Sequence, residues 1–162
     1  MVEYESMKIL VFSDIHNKTG ILVKLVNKIN PDYIFFLGDG VDVVLDELGS
    51  TYEEKLFTVK GNSDILVKIP LTKQIVLENT KFFLTHGHKY NVKRSLVELY
   101  ELAREENVNV VCFGHTHRAF CEYINDILFF NPGTIGSIRS EENTYGILEI
   151  NDQKITQKIE KF

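Results

Sequence analysis

A chain of 162 residues, 44% of them hydrophobic, is the size of one domain and can bury about 70% of the surface it exposes when unfolded. Its formal net charge of −5 argues against long duplex nucleic acid, which needs a basic face to displace counterions, but leaves room for a short anion held by metal. No stretch approaches membrane-spanning length, and the segment Met1–Ser6, with Glu3 and Glu5, lacks the apolar core of a signal peptide. One cytoplasmic domain over residues 1–162 is therefore expected, with no membrane partner and none of the features that would name an oligomeric one. Cys112 and Cys121 lie in apolar, strand-like surroundings without a C-x-x-C pattern, and read as reduced core residues.

Along the chain, strands alternate with helices and then give way to strands alone. Lys8–Ser13 is an unbroken apolar run, as expected for a strand covered on both faces. Ile21, Leu22, Leu25, Val26 and Ile29 recur at helical spacing, stopped by Pro31. Tyr33–Leu37 is a second buried strand, Val43, Val44 and Leu48 mark a short helix ending near Gly49 with Asp42 as its N-cap, and Lys55–Lys60 is a third strand. Gln74–Glu78 and Lys81–Thr85 form a hairpin turning at Asn79-Thr80. Val92, Leu96, Leu99, Leu102 and Ala103 predict an amphipathic helix, with Lys89, Lys93 and Arg94 at its start. The strands Val108–Phe113, Cys121–Ile124, Ile127–Phe130, Thr144–Ile150 and Lys154–Ile159 follow. This order predicts an α/β fold with two packed sheets.

All five histidines fall in three motifs, Asp14-x-His16, His86-Gly87-His88 and Gly114-His115-Thr116-His117, each after an apolar run. Gly38-Asp39 and Gly61-Asn62 close two further strand-like runs. Asp14, Asp39, Asn62, His86 and His115 thus sit at the ends of separate strands, the edge where open α/β sheets bind ligands. Extended backbone would turn Asp14 with His16, and His115 with His117, to one side. The donor set of Asp, Asn and His suits a pair of borderline transition-metal ions better than a Cys-rich structural zinc.

In this order the motifs D-x-H, G-D, G-N, H and G-H-x-H resemble the calcineurin-like metallophosphoesterases, in particular their small single-domain phosphodiesterase branch, from Lys8 to about Ile150. The resemblance implies a four-layer sandwich of two mixed β-sheets flanked by helices, with the metal site at the C-terminal ends of the strands. Carried over by motif, one ion takes Asp14, His16 and His117, the second takes Asn62, His86 and His115, and Asp39 bridges the two. The cofactor expected is two divalent transition-metal ions, Mn first, with Zn, Fe or Ni as alternatives. The implied activity is hydrolysis of a small phosphodiester by attack of a hydroxide held between the ions. A bridged pair about 3.5–4 Å apart binds two phosphoryl oxygens and lowers the pKa of bound water. Two ions at +4, less Asp14, Asp39 and one hydroxide, leave a site of net +1 that favours phosphate.

His88, two residues past a ligand, has three readings: phosphate contact, general acid for the leaving group, or a loop-fixing hydrogen bond. Asp64 either orients a ligating histidine or occupies a solvated turn. Asn131-Pro132-Gly133 resembles a loop beside the family's site, and reads equally as a plain Pro-Gly turn. Larger members of the family carry His directly after the Gly-Asn pair; here Ser63 stands there, a hydroxyl without a useful pKa for leaving-group departure. Two other classes stay open: a non-catalytic protein-binding scaffold of the same fold, such as the retromer scaffold subunit that resembles this branch, and a nuclease.

Overall fold

Apolar residues occupy both faces of the central strands, and in the computed structural model, which describes residues 5–139, 142–152 and 154–162, each face finds its own cover. In chain order the elements are β1 (Met7–Phe12), α1 (Leu22–Ile29), β2 (Tyr33–Phe36), α2 (Val41–Leu48), β3 (Leu56–Thr58), β4 (Thr72–Leu77) and β5 (Thr80–Thr85). After them come α3 (Val97–Glu105), β6 (Val110–Cys112), β7 (Ala119–Ile124), β8 (Ile127–Pro132), β9 (Thr144–Asn151) and β10 (Lys154–Lys161). A 3₁₀ turn, His88–Tyr90, stands between β5 and α3.

One sheet runs β10-β9-β1-β2-β3, with β1, β2 and β3 parallel and β9 antiparallel to both its neighbours. The other runs β4-β5-β6-β8-β7, parallel across β5, β6 and β8 and closed at each edge by an antiparallel strand. The period-2 alternation of strand side chains sorts the apolar residues into layers. Ile9, Val11 and Phe35 of the first sheet meet Phe82, Leu84, Cys112 and Phe130 of the second in the central core. Leu10, Phe12, Ile34 and Phe36, on the opposite face, pack under α1 and α2. Phe83, Val111 and Phe129 pack under α3. The result is the four-layer sandwich with two mixed sheets. Phe35 and Phe82, edge to face at 5.3 Å, tie the sheets together. Each fully buried Phe contributes roughly 1.5–3 kcal/mol.

Several local expectations shift, each for a physical reason. The third helix starts at Val97, not at Val92, because Asn91 sits at φ 57° behind the 3₁₀ turn and breaks the helical path. Lys89, Lys93 and Arg94 therefore lie in the turns before α3 and do not oppose its dipole. The hairpin turns one residue earlier, at Glu78 (φ 45°) and Asn79 (φ 62°), two positive values that match a two-residue loop with the twist of its strands. Asp42 is not an N-cap: α2 begins at Val41 behind Gly40 (φ 119°), and Asp42 lies in its first turn. Cys112 is buried and Cys121 half-buried, both as free thiols. No helix among the described residues is long and apolar enough to cross a membrane.

Candidate metal centre

Parallel strands run in one direction, so the loops after β1, β2, β3, β5 and β6 gather along one edge where the two sheets meet. Backbone hydrogen bonds lace these loops together: Asp14 N–H donates to Gly38 O (3.0 Å), His16 N–H to Asp39 O (2.9 Å) and Gly114 N–H to His86 O (3.1 Å). The loops come so close that side chains before the ligands are not tolerated. A Cβ on Gly61 would overlap the Asp39 carboxylate, and one on Gly114 would overlap Ser13 Oγ.

Asp14, His16, Asp39, His115 and His117 all have left-handed backbones, with φ between 52° and 69°. The expected extended geometry of Asp14-x-His16 and His115-x-His117 is thereby corrected. These pairs converge because each residue turns through the left-handed region, which Asp, Asn and His enter more readily than other side chains. Such conformations cost of order 1–3 kcal/mol each and gather at functional sites.

The side chains meet in two groups: Asp14 with His16 and His117, and Asp14 with Asp39 and His86, the ligand atoms within 4.8 Å of one another in each. In the first, His117 Nε2 lies 3.1 Å from Asp14 Oδ1 and 3.5 Å from His16 Nε2. In the second, His86 Nε2 is 3.1 Å from Asn62 Oδ1, 3.1 Å from His115 Nδ1, 3.4 Å from Asp39 Oδ2 and 3.8 Å from Asp14 Oδ1. All seven sequence-predicted ligands are thus brought together. The residue common to both tight groups is Asp14, where the motif carry-over makes Asp39 the bridge.

Donor chemistry fits a cation. His86 Nδ1 donates to Leu37 O at 2.8 Å, which turns Nε2 to the cluster, where it holds either a proton or a metal ion. Asp14 Oδ2 accepts from Ser13 Oγ (2.6 Å) and His115 N–H (3.2 Å), whereas Asp14 Oδ1 is buried and, among the described residues, makes no hydrogen bond. Asp39 Oδ1 accepts from Ser63 N–H at 3.0 Å, which leaves Oδ2 turned to His86. Lone pairs packed at these separations repel unless a proton or a metal ion lies among them.

The same crowding shifts the ionisation of these groups. Burial pushes the Asp39 carboxyl up, but the hydrogen bond and charge of His86, with the Ser63 amide, outweigh it and hold Asp39 well below the usual carboxylate range. For His86, burial pushes down, and the Asp39 hydrogen bond with the Asp14 and Asp39 charges outweighs it, so its pKa rises above the ordinary imidazole value. Burial, the His86 charge and Lys93 push His115 down to about 4. Metal uptake must therefore displace the proton that His86 retains, whereas His115 is already neutral. Affinity for Zn²⁺ or Mn²⁺ is expected to climb about tenfold per pH unit for each proton displaced, and to level off only above the ordinary imidazole value of about 6.5. Competition with a chelating dye across pH checks this; a profile already flat at that value contradicts it.

Other residues take parts that the sequence left open or hid. Asp64 neither orients a histidine nor faces solvent. It is buried, and its carboxylate accepts four backbone N–H groups: Asp39 (2.7 Å), Gly40 (2.9 Å), Val41 (3.1 Å) and Gly61 (2.8 Å). Asn131 is also buried, donating to Gly114 O (3.1 Å) and Thr116 Oγ1 (3.0 Å) and so fixing the Gly114–His117 loop from below. Ser13 and the Leu37 carbonyl were missed; a hydroxyl beside a ligand and a backbone oxygen carry no sequence signal. His88 is half-buried beside the cluster, its ring centroid 5.4 Å from that of His86, and its Nδ1 is buried with no hydrogen-bond partner among the described residues, so no loop-fixing bond to them forms at that atom.

Residues 7–153 match the model of the calcineurin-like phosphoesterase superfamily domain, and the chain belongs to that family. Among its relatives are a probable metallophosphoesterase, YsnB of Bacillus subtilis (strain 168), 29% identical over 155 residues, covering 93% of this chain and 88% of that one. Another is the phosphodiesterase YfcE of Escherichia coli (strain K12), 27% identical over 187 residues, covering 94% and 97%. Among solved structures, a predicted phosphoesterase from Streptococcus pneumoniae TIGR4 superposes with a TM-score of 0.83 at 28% identity, covering 98% of this chain and 91% of that one. Zn²⁺-complexed Vps29 from Entamoeba histolytica shares the fold, with a TM-score of 0.77 at 22% identity over 96% and 98% of the two chains.

Proposed function

We propose that the protein is a dinuclear metal-dependent phosphodiesterase acting on small phosphodiesters in the cytoplasm. Asp14, His16 and His117 hold one divalent ion, Asn62, His86 and His115 the other, with Asp39 between them; Mn²⁺ is the ion expected, ahead of Zn²⁺, Fe²⁺ or Ni²⁺. The observation that carries this reading is the buried, unbonded Asp14 Oδ1 facing imidazole nitrogens of both groups. Bound ions would supply positive charge for the phosphoryl oxygens and a hydroxide near neutral pH. The protein's own part is to hold seven donors preorganised. The Leu37 carbonyl fixes the His86 tautomer, and Ser13 and the His115 amide hold the Asp14 carboxylate in place. A cleft of about 660 Å³ beside His16 and His117, rimmed by Lys18 and Arg139, gives an anionic ester access.

The test is hydrolysis of bis(4-nitrophenyl) phosphate. Chelator-treated protein is expected to be inactive and Mn²⁺ to restore it; full activity without metal refutes the reading. Metal-independent binding of a partner peptide, with no turnover under any metal, would establish the scaffold reading instead.

His88 faces the site as a hydrogen-bond donor to a phosphate oxygen. Burial, the His86 charge and Lys89 push its pKa down, which leaves the neutral ring a poor acid. His88→Asn is expected to lower kcat/KM by about tenfold across a series of aryl esters with unchanged dependence on leaving-group pKa, the size of one lost hydrogen bond to a charged group. A steeper dependence in the variant would make His88 the general acid, an effect worth about 10²–10⁴-fold with basic leaving groups.

A further inference from the structure

A second cleft, of about 630 Å³, opens on the other flank of the metal centre, between the turns before α3 and the start of β7. Its floor is apolar: Leu96, Phe113 and Phe120, the two rings 6.3 Å apart. Its rim is basic: Lys93 and Arg94 from the turns before α3, and Arg118 from the loop that follows the ligand His117. The three cations are exposed, and among the described residues none of their side chains is ion-paired or hydrogen-bonded. Unpaired surface cations are common along the chain; what sets these three apart is that they share one cleft. Three unpaired positive charges in one cleft of a chain with net charge −5 are a local reversal of sign. The cleft adjoins the loop that carries two of the candidate ligands. Thr116, in its wall, stands between His115 and His117 and is held by Asn131, and the Lys93 charge already reaches His115.

We infer that this cleft is a substrate subsite, and that it takes the departing arm of a phosphodiester when that arm carries both a planar ring and a phosphate of its own. The inference rests on the phosphodiesterase reading for its place in turnover. The binding chemistry stands by itself: guanidinium and ammonium groups pair with phosphate, and guanidinium does so in a bidentate fashion, while the half-buried Phe120, backed by the buried Phe113, offers aromatic surface to a planar body. With the phosphoryl group at the ions, the ring lies against Phe120 and Leu96, and the second phosphate reaches Arg118, Lys93 and Arg94. Specificity then resides in the arm that leaves.

Two measurements test this. The first needs neither metal nor turnover: phenyl phosphate is titrated into the metal-free, full-length protein, and backbone amide shifts are followed by NMR. Saturable shifts are expected at Lys93, Arg94, Thr116, Arg118 and Phe120, with inorganic phosphate binding more weakly for want of the ring. Arg118→Ala and Lys93→Ala, both at exposed positions, are each expected to weaken phenyl phosphate by about tenfold, the size of one charge-assisted contact. Shifts confined to the ligand loops, or affinity unchanged in both variants, overturn the subsite.

The second uses the Mn²⁺-loaded protein and compares thymidylyl-(3′→5′)-thymidine with the same compound bearing a terminal 3′-phosphate. The phosphorylated form is expected to have the higher kcat/KM, and the ratio between the two is expected to fall about tenfold in Arg118→Ala. A ratio of one in the unmodified protein overturns the proposal. If neither compound is cleaved, and bis(4-nitrophenyl) phosphate is not either, the phosphodiesterase reading fails, and the titration still decides whether the cleft binds phosphate.

Discussion

Asp39→Ala is expected to purify without either metal ion and to lose hydrolysis of bis(4-nitrophenyl) phosphate by more than about 10²-fold, the upper range for loss of a mere supporting contact to a ligand. Asn62→Ala is expected to keep one ion and to lose less. A bridging carboxylate serves both ions and cancels one charge between them, whereas the Asn62 amide is neutral and serves one. Asp39 is held in place with Oδ1 on the Ser63 amide and Oδ2 turned to His86. Its carboxylate is kept ionised against the effect of burial by the His86 hydrogen bond and charge. Elemental analysis of the purified variants decides the matter. One ion retained in Asp39→Ala would move the bridge to Asp14, the residue that both tight ligand groups share.

Asp64→Ala carries the largest expected loss of stability. Its carboxylate accepts the amides of Asp39, Gly40, Val41 and Gly61, all inside the protein, and so joins the loop after β2 to the loop after β3. Two of those amides, Gly40 and Val41, open α2, so Asp64 also caps that helix and places a negative charge at its positive end. Truncation leaves four donors without an acceptor, at about 1–3 kcal/mol for each that water does not reach, and a total of roughly 3–5 kcal/mol is expected. For a chain of this length that lowers Tm by on the order of 10 °C. Asp64→Asn is expected to fare little better. Each carboxylate oxygen receives two N–H groups, so in either orientation the amide NH₂ of Asn meets two donors. Thermal unfolding of the two variants checks this. An Asn variant as stable as the parent would show that the four bonds are not the source of the effect.

Asp64 also marks where sequence reading stopped. The seven donors were legible because five of them close apolar runs and the other two, His16 and His117, follow two residues behind, and runs covered on both faces place their ends at one sheet edge whatever the loop details. The layers followed from the same runs, since Ile9 and Val11 face one core while Leu10 and Phe12 face another. The cap of α2 was not legible, because local rules look at the residue before a helix and find Asp42, while the acceptor comes from Asp64, 23 residues after Val41. The left-handed turns at Asp14, His16, His115 and His117 were missed for a related reason: tertiary convergence imposes them, and a two-residue spacing reads as extended chain. The basic cluster was visible as Lys89, Lys93 and Arg94, but the fold divides it. Lys93 and Arg94 line a cleft, and their partner across it is Arg118 from another part of the chain.

The central claim, a site that needs two ions together, is tested most directly by titrating chelator-stripped protein with Mn²⁺ under tight-binding conditions while following bis(4-nitrophenyl) phosphate hydrolysis. Activity is expected to lag through the first equivalent and to reach its plateau at two per chain. A plateau at one equivalent, or activity before any Mn²⁺ is added, would contradict it.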